Sequence, residues 1–182
     1  MSSKADRSLV DTAATVLTAC LLFAMSFAIA QQTTSPAAAA MERDAQVLRG
    51  GDVTVEGIVE NLKPTRTRAM RQPLLITFET GSSKLTPQSR ATLDKVGQAL
   101  KTNSLAEFDF IVEGHADPRG GDRLNQPLSL ARANSVCVYL EQEHQIDPHR
   151  LGSVGKGSSE LLNTEDITAP ENRRVTIVTS LK

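Results

Sequence analysis

Tryptophan is absent from the 182-residue chain and tyrosine occurs once. Flat aromatic platforms on which bases or sugars stack are therefore in short supply. Charge of a single sign is lacking too: 20 Lys and Arg stand against 21 Asp and Glu, for a formal net charge of −1. With no long basic run outside the N-terminal region, a duplex nucleic-acid binder is excluded, because such a protein needs a clustered cationic face against the phosphates. The same balance leaves no polybasic handle for anionic lipid. Cysteine occurs twice, at Cys20 and Cys137. If the residues up to Ala30 are removed, Cys137 is the only thiol and no internal disulfide can form. Cys137 falls in a predicted amphipathic helix and reads as a small buried hydrophobe rather than a nucleophile.

What is present begins with an apolar stretch from about Ala13 to Ala30, preceded by Lys4 and Arg7 and closed by Ala28-Ile29-Ala30. Three readings stand for it: a cleaved secretory signal, an uncleaved anchor close to the length that spans a bilayer, or lipidation at Cys20 within Leu17-Thr18-Ala19-Cys20. All three place the rest of the chain outside the cytoplasm. The stretch carries no acidic residue from Thr12 to Ala30, which argues against a role in ion conduction.

Residues 1–30 thus read as signal or anchor and 31–73 as linker, low in complexity from Gln31 to Ala40. Within the linker, Val55, Ile58, Val59 and Leu62 follow helical spacing near 53–63, with Asp52 as the expected N-cap and Pro64 ending the helix. That helix either packs on the main domain or floats in the tether. Residues 74–182 read as a single domain. Leu74–Phe78 is expected to be a first strand. Thr86-Pro87 opens a helix whose face is marked by Leu93, Val96 and Leu100. Phe108–Glu113 is a second strand, and a long helix over about Leu124–Glu143 has Leu128, Ala131, Val138 and Tyr139 among its apolar positions. Leu151–Val154 and Arg174–Thr179 are the last strands. The order β-α-β-α-β-β predicts an α+β two-layer sandwich, a mixed sheet with helices on one face.

The densest polar cluster runs from Glu113 to Arg132. Asp117 offers a carboxylate at a strand end and Arg132 a guanidinium two turns into a helix, with Asn125 between them. Facing one cleft, the charged pair suits a zwitterionic ligand, the carboxylate taking an ammonium and the guanidinium a carboxylate. From spacing alone, a structural salt bridge between Asp117 and Arg132 is an equal alternative. His115, Asp117 and Ser129 lie near one another, but nothing in the sequence arranges a base beside a nucleophile, so no catalytic residue is expected. His115 with Asp117 falls short of a metal set, and no metal or other cofactor is expected. Gly155-Lys156-Gly157 lacks the longer nucleotide-binding pattern.

The stretch Ile76–Leu85, then Gly114-His115-Ala116-Asp117-Pro118-Arg119-Gly120, Asn125 and Leu128–Ala133, closely resembles the signature of the OmpA-like C-terminal domain. Gly155-Lys156-Gly157 and Asn172-Arg173-Arg174-Val175 match its later motifs in order. The resemblance covers about residues 74–180. It implies a non-catalytic peptidoglycan-binding envelope protein, periplasmic and outer-membrane associated, that grips the diaminopimelate residue of the stem peptide and tethers a membrane or an envelope complex to the cell wall. The alternatives are an inner-membrane-anchored stator- or secretion-type component, and an interaction module that has lost wall binding. By position, Asp117 and Arg132 would hold the amine and carboxylate of diaminopimelate. Phe78, Glu79 and Asn125 would line the same groove, and Leu128 would pack beside Arg132. Two departures stand out: Gly81 where the family often has Asn, and Ala116 where it commonly has Thr. Arg173 and Arg174 have two readings, contact with ligand or glycan and structural pairing with acidic neighbours, and the structural role is the favoured one.

Overall fold

The computed structural model describes residues 47–64 and 69–180. The predicted export segment with Cys20, and the arginines Arg66 and Arg68, lie outside the described residues. Among the described residues no helix is long and apolar enough to cross a membrane. The elements in chain order are α1 (Val55–Leu62), β1 (Arg71–Leu74), α2 (Pro87–Leu100), β2 (Asp109–His115), α3 (Asp122–His144), β3 (Leu151–Gly157) and β4 (Val175–Ser180), with short 3-10 turns between some of them.

The sheet has the order β1-β4-β2-β3. Strand β4 runs antiparallel to both β1 and β2, while β2 and β3 are parallel and are joined through α3. The sheet is therefore mixed, and the helices complete the second layer, as the α+β reading expects. Val96 and Leu100 of α2, Val136 and Leu140 of α3, and Phe110, Val112, Val175 and Ile177 of the sheet form the core. Ile58 and Leu62 of α1, and Val53 before it, are completely buried in the same cluster. Of the two placements open for that helix, packing on the domain is the one observed.

Helix starts follow local chemistry. At α2 the Thr86 hydroxyl accepts from the Ser89 N–H and Pro87 takes the first turn, as the sequence predicts. At α1 the expected cap is corrected. Thr54, not Asp52, accepts from the Gly57 N–H at 3.1 Å, because only the residue directly before the helix can reach that donor. Asp52 belongs instead to a 3-10 turn, Gly50–Asp52.

The first strand also differs. The ladder is made by Arg71–Leu74, paired with Val175–Val178. Phe78, expected inside the strand, makes only an isolated bridge to Leu85. Pro73 is tolerated because β1 is an edge strand, and its carbonyl and Leu74 meet Leu48 instead of another full strand. The apolar run after Leu74 thus leaves the sheet and carries Phe78 towards Arg132.

In α3 the buried face is Asn125, Ser129, Ala133, Val136, Cys137 and Leu140, whereas Ala131 is exposed and Val138 is 42% exposed. The predicted face of Leu128, Ala131, Val138 and Tyr139 is displaced because the helix lies so close to the sheet that small residues are required beneath it. A Cβ on Gly155 would stand 2.7 Å from the Leu130 N and 2.8 Å from the Gln126 carbonyl oxygen. A Cβ on Gly114 would collide with the Ser129 carbonyl. The Ser129 hydroxyl receives the Gly157 N–H at 2.9 Å. Cys137 is buried as predicted, and burial pushes its thiol up to about 12, so it is inert as a nucleophile.

Candidate functional site

Strand β2 ends at His115, and the chain turns out through Ala116, whose N–H donates to the Gly157 carbonyl at 2.7 Å. Asp117 follows. Asn125, in the first turn of α3, donates through Nδ2 to the Asp117 carbonyl at 2.8 Å, which pins this loop to the helix. The Asp117 carboxylate is crowded with donors. Its Oδ1 accepts from the Arg119 N–H and Nε, both at 3.0 Å. Its Oδ2 accepts from Arg119 Nη2 at 2.7 Å and from Arg173 Nη1 at 2.9 Å. The bond to the N–H two residues on is an Asx turn, and the bidentate guanidinium is the strong form of the pair.

These partners decide the protonation state of Asp117. Arg119 above all, then Arg173, hold its carboxyl down to about 2 against the opposing effect of burial. A carboxyl whose folded pKa is depressed stabilises the fold above its ordinary value, and that stability is lost as pH falls through about 4 towards 2. Asp117→Asn is therefore expected to lower stability by about 1–2 kcal/mol at pH 7, trimmed by the solvent exposure of Arg119. The gap from wild type should close as pH approaches 2, read from urea melts at several pH values. A gap independent of pH would show that Asp117 acts through packing alone.

Arg132 does not pair with Asp117, so the structural salt bridge left open by the sequence is not formed. Its Nε donates to the Ser82 carbonyl at 3.2 Å, and its guanidinium lies 5.0 Å from the centroid of the Phe78 ring, a cation–π distance. Burial and the nearby Arg173 both lower its pKa, although a guanidinium keeps its charge throughout the physiological range. Phe78, Arg132, Arg173 and Arg174 line a cavity of about 260 Å³ together with Thr77, His115 and their neighbours. The turn that supplies Ser82 passes through Gly81 at φ +64°. Asn also tolerates that left-handed region, so Gly81 keeps the turn that an Asn would make.

The remaining predicted ligand residues are spread around this centre. Asn125 is buried and bonded to the loop, so it positions Asp117. Leu128 is half-buried on the first turns of α3. Glu79 is exposed and pairs with Lys84 at 2.7 Å across the first loop. Sequence reasoning gave Arg119 no role, although an arginine two residues after an aspartate in a glycine-rich turn is well placed to fold back on it. Arg173 does pair with an acidic neighbour, as expected, and that neighbour is Asp117 itself. Arg174 is buried and donates from both Nη atoms to the Glu160 carbonyl at 3.2 Å, and burial pushes it down to about 10.

Behind the cavity, side-chain donor atoms of Glu113, His115 and Glu160 lie within 4.8 Å of one another. This geometry would interest a cation, but the carboxylates are already engaged. Arg71 bonds Glu113, and Lys156 bonds Glu160 at 2.7 Å. Burial lowers the pKa of the His115 imidazole, and Arg174 adds a third positive charge that lowers it further. The cluster reads as a charge-compensated brace on the sheet.

The sequence profile of the OmpA family matches residues 77–174, more than half of the chain and the whole span from Phe78 to Arg174. The chain belongs to the OmpA family. Outer membrane protein Omp38 of Acinetobacter baumannii is 36% identical over 91 residues, covering 49% of this chain and 24% of that protein. The peptidoglycan-associated lipoprotein of Buchnera aphidicola is 32% identical over 89 residues, covering 44% of this chain and 51% of that one. This OmpA-family chain thus matches between about a quarter and a half of the length of these relatives. The fold is also that of the periplasmic domain of Helicobacter pylori MotB, at a TM-score of 0.55 and 19% identity over 65% of this chain and 80% of that domain.

Proposed function

We propose that this OmpA-family domain binds peptidoglycan non-covalently through the zwitterionic head of diaminopimelate in the stem peptide, and that the chain tethers a membrane or an envelope complex to the cell wall. The supporting observation is Arg132: a half-buried guanidinium faces a cavity, braced on Phe78, with one backbone acceptor and no carboxylate among its hydrogen-bond partners in the described residues. A ligand carboxylate completes that site through two parallel hydrogen bonds. Asp117, linked to the same cavity through Arg173, supplies the negative charge that an ammonium requires. A relative named for its association with peptidoglycan is consistent with this reading. On it, the domain is a binder with no reaction to catalyse, and it works in the periplasm.

Co-sedimentation of the full chain with purified peptidoglycan tests the proposal, beside a tube lacking the wall polymer and beside Arg132→Ala and Asp117→Ala variants whose melts confirm folding. Wild type is expected in the pellet, displaced by free meso-diaminopimelate. Each variant should lose about 10- to 100-fold in affinity, as when one partner of a desolvated charge pair is removed. Wild type staying in the supernatant would refute wall binding, and folded variants that pellet like wild type would move the ligand away from this cavity.

A further inference from the structure

The Asp117 carboxylate is only 5% exposed, and what covers it differs in kind on its two sides. Arg173 is fixed from behind, since its Nη1 also donates to the Thr168 carbonyl at 2.9 Å. The Arg119 side chain is 63% exposed, and every hydrogen bond found for its guanidinium ends on Asp117. It sits at the tip of a turn followed by Gly120 and Gly121. Two guanidiniums, Arg119 and Arg173, therefore hold a single carboxylate, and Arg132 lines the adjoining cavity with Arg173. An incoming ammonium finds Asp117 already filled.

We propose that Arg119 is a specificity-determining residue, an internal stand-in for the ligand's ammonium that occupies Asp117 in the free protein and swings into solvent when the ligand arrives. This rests on the stem-peptide reading of the cavity and adds a selection rule to it. An amine alone gains one carboxylate and must displace a bidentate guanidinium, an exchange close to even. A ligand that also delivers a carboxylate to Arg132, beside Arg173, gains a second charged contact that Arg119 cannot match. Exchange of Arg119 thus favours molecules carrying ammonium and carboxylate on one carbon and rejects simple polyamines. Once Arg119 has left, Arg173 remains beside Asp117 and keeps the site net positive, which favours the ligand with more carboxylates.

The test compares meso-diaminopimelate with cadaverine, its counterpart without carboxylates, by calorimetry on the full chain and on Arg119→Gln and Arg119→Lys. Wild type is expected to bind diaminopimelate and not cadaverine. Arg119→Gln should bind diaminopimelate about two- to fivefold more tightly, the scale of an exposed ion pair removed from competition. It should also acquire measurable cadaverine binding, and Arg119→Lys should fall between. In wild type the Arg119 Nε–H resonance should shift towards its solvent-exposed value as diaminopimelate is added. Arg119→Gln binding diaminopimelate equally or more weakly, with no gain for cadaverine and a stationary Nε–H resonance, would overturn the stand-in role while leaving the cavity reading intact. Failure of wild type to bind diaminopimelate would overturn both.

Discussion

A fragment that begins at residue 70 is expected to show no cooperative melt, whereas one that begins at residue 47 unfolds sharply. The shorter fragment keeps every strand and both long helices but loses Val53, Ile58 and Leu62, each completely buried. Burial of such a side chain contributes about 1.5–3 kcal/mol. Their joint loss is on the order of 5–8 kcal/mol, comparable with the whole stability of an ordinary domain. Polar links vanish with them. The Thr179 hydroxyl, inside β4, donates to the Leu62 carbonyl at 2.6 Å, and the Lys95 ammonium donates to the Val53 carbonyl at 2.7 Å. Removing the acceptors leaves these donors in a newly opened apolar face. Calorimetry of the two fragments decides the matter: equal melting temperatures would mean that α1 is an accessory to the domain.

Gly114→Ala is the single substitution expected to cost most, at least about 3 kcal/mol in urea unfolding, with failure to accumulate as a folded protein a consistent extreme. The added methyl has only backbone to meet, the Ser129 carbonyl of α3, and backbone cannot rotate aside as a side chain can. To make room, α3 must lift from β2 and β3, breaking the Ser129–Gly157 hydrogen bond and moving Asn125 off the Asp117 loop. Ligand binding should therefore fall along with stability in any fraction that folds. Gly51→Ala serves as the control, because nothing among the described residues lies within 4 Å of its added Cβ, and a change within about 0.5 kcal/mol is expected there. A shift of similar size at both positions would contradict the close approach of α3 to the sheet.

Much of this architecture is legible before any coordinates. Thr86-Pro87 announces a helix start through one cap and one preset φ, and Leu93, Val96 and Leu100 mark its buried face by spacing alone. The motifs from Gly114 to Arg132 carry the family. What the sequence hid was decided by distant partners. Arg71-Gln72-Pro73 looks like linker, since a charge and a proline argue against a strand, and it joins Leu74 in one only because β4 offers an edge on which proline is tolerated. The inward face of α3 carries Asn125 and Ser129, which a hydrophobic period cannot find, because Ser129 lies against Gly114 and Asn125 is held by the Asp117 carbonyl. Thr54 displaced Asp52 as a cap by two positions, within the usual blur of helix ends. At the site, Asp117 and Arg132 were visible as opposite charges, but the spacing could not show that Asp117 would turn to Arg119 and Arg173 and away from Arg132.

Strand β4, the last strand among the described residues, lies in the interior of the sheet, between β1 and β2. A chain that emerges from a ribosome or a translocation pore with its early residues first holds β1 without its sheet neighbour until that final segment is delivered. The site waits as well, because Arg173 arrives just ahead of β4. Without β4 the sheet of the described residues cannot close, so its compaction waits for that strand. Topology thus acts as a timer on assembly.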